Sequence, residues 1–95
     1  MISFTVRMRF AQEDRAEIRS ILQNLGAASR QEPGCVNYIA HTLENDPDTV
    51  VIYEQYRDAE GLEAHRSSAH FDQWATNGLY RKLRERSMET LVEIV

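Results

Sequence analysis

Residues 2–10 alternate without a break, with Ile2, Phe4, Val6, Met8 and Phe10 on one side and Ser3, Thr5, Arg7 and Arg9 on the other. A period of two is the mark of a β-strand with one face on a core. From about Asp14 the period lengthens. Ile18, Ile21, Leu22, Leu25 and Ala28 recur at three- and four-residue spacing, which makes one apolar stripe on a helix. Glu13 and Asp14 stand at its start, where negative charge meets free backbone N–H groups. Glu32-Pro33-Gly34 ends it: Pro33 pushes Glu32 out of helical geometry, and Gly34 permits a tight reversal.

The run CVNYIAHTL (35–43), the polar stretch ENDPD and the run TVVIYEQYR (49–57) read as strand, turn and strand. On the third strand Val50, Ile52, Glu54 and Tyr56 share one face, and Val51, Tyr53, Gln55 and Arg57 the other. Asp58 is placed to cap a short helix carrying Leu62 and His65. His65 and His70 are five residues apart, about 140° around a straight helix, so they would not share a face. Ser67 and Ser68 offer a break, because a hydroxyl can cap a second helix starting near Ala69. Two short helices meeting at an angle turn both rings toward one space. METLVEIV (88–95) supplies a last strand.

The order β-α-β-β-α-β, with its second helix split, predicts a ferredoxin-like α+β fold, with residues 1–95 as one domain. Helices then cover one face of a four-stranded sheet, and the bare face requires water or a partner. A chain this short buries only roughly 60–65% of the surface it exposes when unfolded, so an oligomer is expected.

A net charge of −4 argues against non-specific nucleic-acid binding, which depends on a basic surface. The one basic run, RKLRER (81–86), reads as a solvated helix end and loop, with an anionic substrate or a pocket mouth as the alternative. The single cysteine, Cys35, allows no disulfide within the chain and no thiolate-rich metal site, and reads as a packing residue. No apolar run is long enough to span a bilayer, and MISFTVRMRF lacks the pattern of a secretory signal. A cytoplasmic location is therefore expected. The four isolated glycines form no phosphate-binding loop, which argues against nicotinamide or flavin held in the usual folds.

Glu54 is the most informative polar residue, because a carboxylate on an apolar strand face needs a hydrogen-bond partner or a raised pKa. His65 and His70 either close a helix–sheet seam or take a proton from an acidic hydroxyl near neutral pH. His41, His65, His70 and Glu54 are numerous enough to ligate a metal but match no recognised spacing, so no metal is expected. Phe71 and Trp74, three apart, either pack in the core or wall a flat ligand. Tyr38, Tyr53 and Tyr56 add phenols able to hydrogen-bond a quinol or carbonyl.

The run EPGCVNYIAHTLENDPDTVVIYEQYRDAEGLEAHRSSAHF, taken as a unit, resembles the antibiotic-biosynthesis-monooxygenase (ABM) family, which includes quinol monooxygenases. The matching elements are the EPGC turn, Tyr38, the YEQY strand with Glu54, the stretch ending at His65 and the His70-Phe71 pair. The resemblance implies a homodimer whose sheets form a dimeric α/β barrel. It also implies oxidation of a quinol-like or polyhydroxylated aromatic by dioxygen without cofactor or metal. The implied catalytic residues are His65, His70 and Tyr53, and the implied substrate-binding residues are Glu54, Phe71, Trp74 and Tyr38. The family's isomerase of a phosphorylated sugar is the alternative, calling on Arg66, Arg81 and Arg84; a third is a dimeric ligand-binding or stress-response module without catalysis. The haem-degrading branch fits poorly, since residues 1–10 hold no asparagine and Ala75 falls where its iron ligand is expected.

Overall fold

A computed structural model describes residues 1–95. It contains a four-stranded antiparallel sheet in the order β2-β3-β1-β4, formed by β1 (Ile2–Arg9), β2 (Cys35–Leu43), β3 (Asp46–Tyr56) and β4 (Glu85–Leu91). Helix α1 (Arg15–Arg30) crosses from β1 to β2, and α2 (Ala59–Arg66) follows β3. A third helical segment, α3, is π-helical over Phe71–Leu79 and ends in a single α-helical turn, Tyr80–Lys82. This is the ferredoxin-like α+β arrangement that the alternating periods predicted. No helix is long and apolar enough to cross a membrane.

The alternation in β1 survives intact: Phe4, Val6, Met8 and Phe10 are buried, and with Ile18, Ile21 and Leu25 of α1 and Val50, Ile52 and Tyr56 of β3 they make the core. All helices lie on this side. On the open face Gln55 links Asn37, Ser3 and Glu93 through hydrogen bonds of 2.9 to 3.1 Å. The apolar side chains of Ile39 and Leu91 stay exposed there.

Three boundaries differ from the sequence expectation. The β2–β3 turn is only Glu44 and Asn45, because the Asp46 carboxylate accepts from Asp48 N and Thr49 Oγ1 and starts the strand three residues early. The last strand begins at Glu85 rather than 88 and stops at Leu91, leaving 92–95 outside the sheet. It starts early because Arg84 N bonds Arg9 O at 2.9 Å and Glu85 pairs with Arg9, neither of which an apolar pattern reveals. The basic run thus divides between the helix end at Lys82 and the first residues of β4.

The split between α2 and α3 falls where two serines suggested. Asp58 caps α2 by accepting from Gly61 N at 2.8 Å. Ser68 Oγ donates to His65 O at 2.7 Å and accepts from Phe71 N at 3.1 Å, so one hydroxyl closes the first helix and opens the next. The wide π-helical winding was not legible in the residue spacing.

Gly34 lies in the tight turn closed by Cys35 N and Glu32 O, but without a positive φ, so the turn does not call on the left-handed freedom of this glycine. Its reason is space: a Cβ there would stand 2.7 Å from Gly61 Cα. The Glu32-Pro33-Gly34 turn therefore lies directly against the first turn of α2. Gly34→Ala should cost about 1–3 kcal/mol by overpacking two backbones, measured by urea denaturation. Gly61→Ala meets a milder 3.2 Å approach and gains about 1 kcal/mol of helix propensity, so it should be near neutral. Equal losses at both positions would argue against backbone contact as the cause.

Candidate active site

Glu32, His65, Glu54 and Tyr56 come from a turn, a helix and a central strand and meet on the helix side of the sheet. The turn is closed by Cys35 N bonding Glu32 O and tied to the end of β3 by Arg57, whose N bonds Gly34 O and whose Nε bonds Pro33 O. From it the Glu32 carboxylate enters the space under α2. Its Oε2 accepts from His65 Nδ1 at 2.9 Å and makes a second, very short hydrogen bond with His70 Nε2. The five-residue spacing of the rings is reconciled here: they reach one carboxylate from either side of the Ser68 break.

With Glu32 Oε2 as the acceptor, the Nδ1 of His65 carries the proton and Nε2 is left with its lone pair. Nε2 lies 3.6 Å from Glu54 Oε1, too far for a hydrogen bond. The same Glu54 oxygen accepts from Tyr56 OH at 2.7 Å. Around the His65 ring stand Tyr56, Phe71 and Tyr38, with centroids at 5.1, 5.2 and 5.8 Å and Phe71 presenting its edge. His65 is 3% exposed. It borders a hollow of about 40 Å3 lined by Tyr38, Glu54, Leu62, Phe71, Tyr80, Arg66 and Arg86 among others. That volume holds about one water molecule.

Burial decides the protonation states. It pushes Glu54 up to about 7, against the Tyr56 hydrogen bond that favours its ionised form. It pushes His65 down, against the raising effect of Glu32. Both groups are driven toward neutrality, so their approach is not an ion pair of fixed charge. The Tyr38 and Tyr56 hydroxyls are raised by burial and stay protonated. Burial also lifts the Cys35 thiol to about 11, which fits a packing residue.

Of the residues singled out in the sequence, His65, Glu54, Phe71 and Tyr38 border one hollow, and His70 stands behind Glu32. Tyr53 does not join them. It follows Val51 and precedes Gln55 on the open face, opposite Thr5 and Ile39, because neighbours on a strand point to opposite sides. The phenol beside Glu54 belongs instead to Tyr56. Trp74 is half-buried against the core and is not among the residues that border the hollow. His41 is exposed on β2, with Nδ1 at 3.0 Å from Val51 O. Of three arginines considered for a phosphorylated ligand, only Arg66 borders the hollow; Arg81 bonds Asn77 and Arg84 leads into β4.

Glu32 is the residue that sequence reasoning missed, having been read only as the end of a helix. A carboxylate fixed extended by the following proline, beside a glycine pressed on another backbone, was the available signal. The ligand atoms of Glu32, His65 and His70 lie within 4.8 Å of one another, so the group has the reach to hold a metal ion.

The family model for antibiotic biosynthesis monooxygenase matches residues 1–77. YcnE of Bacillus subtilis (strain 168), which carries a provisional description as a monooxygenase, is 28% identical over 78 residues, covering 82% of each chain. Among solved structures, PA3566 from Pseudomonas aeruginosa is 26% identical with a TM-score of 0.90, covering 99% of this chain and 94% of that one. A Bacteroides thetaiotaomicron protein of unknown function is 28% identical with a TM-score of 0.85, covering 95% and 94%. A Nitrosomonas europaea protein at 19% identity superposes over the full length of both chains with a TM-score of 0.92, a likeness of fold.

The raised Glu54 has a consequence for stability. Between its ordinary value of 4.5 and about 7, the folded protein keeps a proton that the unfolded chain has lost. The contribution of Glu54 to stability therefore falls as pH rises through this window, by about 3 kcal/mol in all. Glu54→Gln should gain about 2 kcal/mol on wild type between pH 5 and pH 8, measured by denaturation at both. Parallel pH profiles would place the titrating group elsewhere.

Proposed function

The chain belongs to the antibiotic biosynthesis monooxygenase family, and from that premise we propose a cofactor-independent monooxygenase that oxidises a quinol-like or polyhydroxylated aromatic with dioxygen. One observation carries the reading: a buried imidazole, held at Nδ1 by Glu32 and with no hydrogen-bond partner at Nε2, borders an aromatic-lined hollow.

The chemistry requires such a base. Dioxygen in its triplet ground state reacts slowly with closed-shell molecules, whereas a phenolate is electron-rich enough to pass it one electron. His65 Nε2 takes the phenolic proton; the imidazolium that forms is stabilised by Glu32 at one nitrogen and, once ionised, by Glu54 near the other. The aryloxyl radical and superoxide combine at a ring carbon bearing hydrogen. Loss of water from that hydroperoxide leaves a quinone, so phenol plus dioxygen becomes quinone plus water with no outside reductant. Tyr38 and Phe71 offer ring faces and edges to the substrate. The hollow is too small for an aromatic ring as it stands. Its outer cover is Tyr80, 39% exposed, with the Arg86 guanidinium 5.9 Å above its ring. Two surface side chains swing aside at little cost, and this reading has the substrate enter there.

The same reading includes a homodimer through the open sheet face, whose exposed Ile39 and Leu91 suit contact with a second copy. It places the protein in the cytoplasm, where the lone Cys35 thiol stays reduced. The partners it requires are a small aromatic substrate and dioxygen.

Oxygen-electrode assays with anthrone and with 1,4-dihydroxynaphthalene, on protein stripped of metal by chelator, test the reading. His65→Gln should lower kcat/KM by about 10²–10⁴-fold, the usual worth of a positioned base. Glu32→Gln and His70→Gln should lose less, about tenfold. Labelled dioxygen should leave one labelled atom in the product. Unchanged turnover in a folded His65→Gln protein would remove the assignment. Light scattering should give twice the chain mass.

A further inference from the structure

A second cavity, of about 390 Å3, lies between α1 and the β2–β3 hairpin. It uses none of Glu32, His65 or Glu54; only Tyr38 borders both spaces. Its volume is that of a small-molecule site, where the hollow beside His65 is an order of magnitude smaller. Ile18, Leu22, Tyr38 and Val50 give it an apolar floor. Gly26 leaves the helix wall open, since a Cβ there would touch the Tyr38 ring at 3.6 Å.

The charges around it are unbalanced. Asp48 is the one carboxylate on the lining, and the Arg15 guanidinium engages it through a fork of 2.8 and 3.1 Å. Arg30 uses its Nε on Tyr38 O at 2.9 Å, which leaves its terminal N–H groups for other acceptors. Arg19 makes no ion pair. The chain carries a net charge of −4, yet this cavity presents two uncompensated guanidinium groups. They are also well separated. Eleven residues of helix put Arg19 and Arg30 about 16 Å apart along the axis, too far for one carboxylate to bridge.

We propose that this cavity binds an elongated dicarboxylate with a flat apolar middle, its body on Leu22 and Tyr38 and one carboxylate at each of Arg19 and Arg30. Guanidinium groups bind carboxylates through paired N–H donors, and exposed ends separated by an apolar floor require the same pattern in the ligand. A sugar phosphate fits less well, because its single anionic end engages only one of the two separated guanidinium groups. The site stands apart from the proposed oxidation and does not rest on it.

The probe is 2,6-naphthalenedicarboxylate, compared with 2-naphthoate and neutral 2-naphthalenemethanol at low ionic strength. Binding is read by calorimetry and by amide chemical shifts on the full chain, without reference to turnover. The dicarboxylate should bind at least about tenfold more tightly than the monocarboxylate, with shifts at residues 19–30 and 38–42. Arg19→Met and Arg30→Met should each bring it to the monocarboxylate level. Ala27→Phe, on an exposed helix position lining the cavity, should abolish binding of both while leaving the circular dichroism unchanged. Equal affinity for all three probes, no binding to the wild-type protein at millimolar concentration, or shifts centred on His65 and Phe71 would each overturn the assignment.

Discussion

Where Gly34 meets Gly61, the turn after α1 and the first turn of α2 approach until no side chain fits between them. Two segments far apart in sequence are locked there without a bond. The consequence falls two residues upstream, where Glu32 is delivered beneath α2 with nowhere to go but between two imidazoles. Arg57 holds the turn from the strand side, through its backbone N–H and its Nε. A side chain at Gly34 would lift the turn and withdraw the carboxylate. The Glu32–His65 hydrogen bond therefore depends on a contact that contains no side chain.

What the turn assembles is a carboxylate–imidazole–carboxylate row running from Glu32 through His65 to Glu54 and on to Tyr56. In water such a row would be charged at neutral pH. Here burial presses Glu54 up to about 7, where its two forms lie close in energy, and presses His65 down, which favours its neutral, proton-accepting form. Burial without a full complement of partners costs stability, and Glu32 Oε1 is buried with no hydrogen bond at all. A core built only for stability would hold an apolar side chain at position 54. Cost concentrated in one row of groups, inside a shell of aromatic rings, is what a proton-handling site looks like.

Much of this was legible in advance for physical reasons. The alternation of β1 fixed its buried face, and the shift to a three-and-four period fixed α1. Asp58 and the serine pair carried caps whose hydrogen bonds depend on neighbours a few residues away. Parity along β3 already put Glu54 and Tyr53 on opposite sides. Grouping both in one pocket went against that parity, and the structure follows the parity. The losses share a different cause. Glu32 and the early start of β4 are set by partners 33 to 76 residues distant, and a single sequence read locally carries no record of those meetings. The π-helical winding that begins at Phe71, the residue after His70, is equally hidden, because the spacing of apolar side chains barely distinguishes it from an α-helix over nine residues. Such wide turns are common beside functional groups.

Tyr38 makes the final connection. Its side chain borders both the hollow that holds His65 and Glu54 and the larger cavity under α1. Its carbonyl fixes Arg30, and Gly26 leaves its ring room against the helix. The two spaces differ in kind: one is small, apolar and able to exchange a proton, the other roomy and bordered by cations. A helix packed on a sheet offers this division naturally, since the seam between them is widest where small residues line it and narrowest where rings stack. A single aromatic ring on β2 thus borders both the row of Glu32, His65 and Glu54 and the larger cavity under α1.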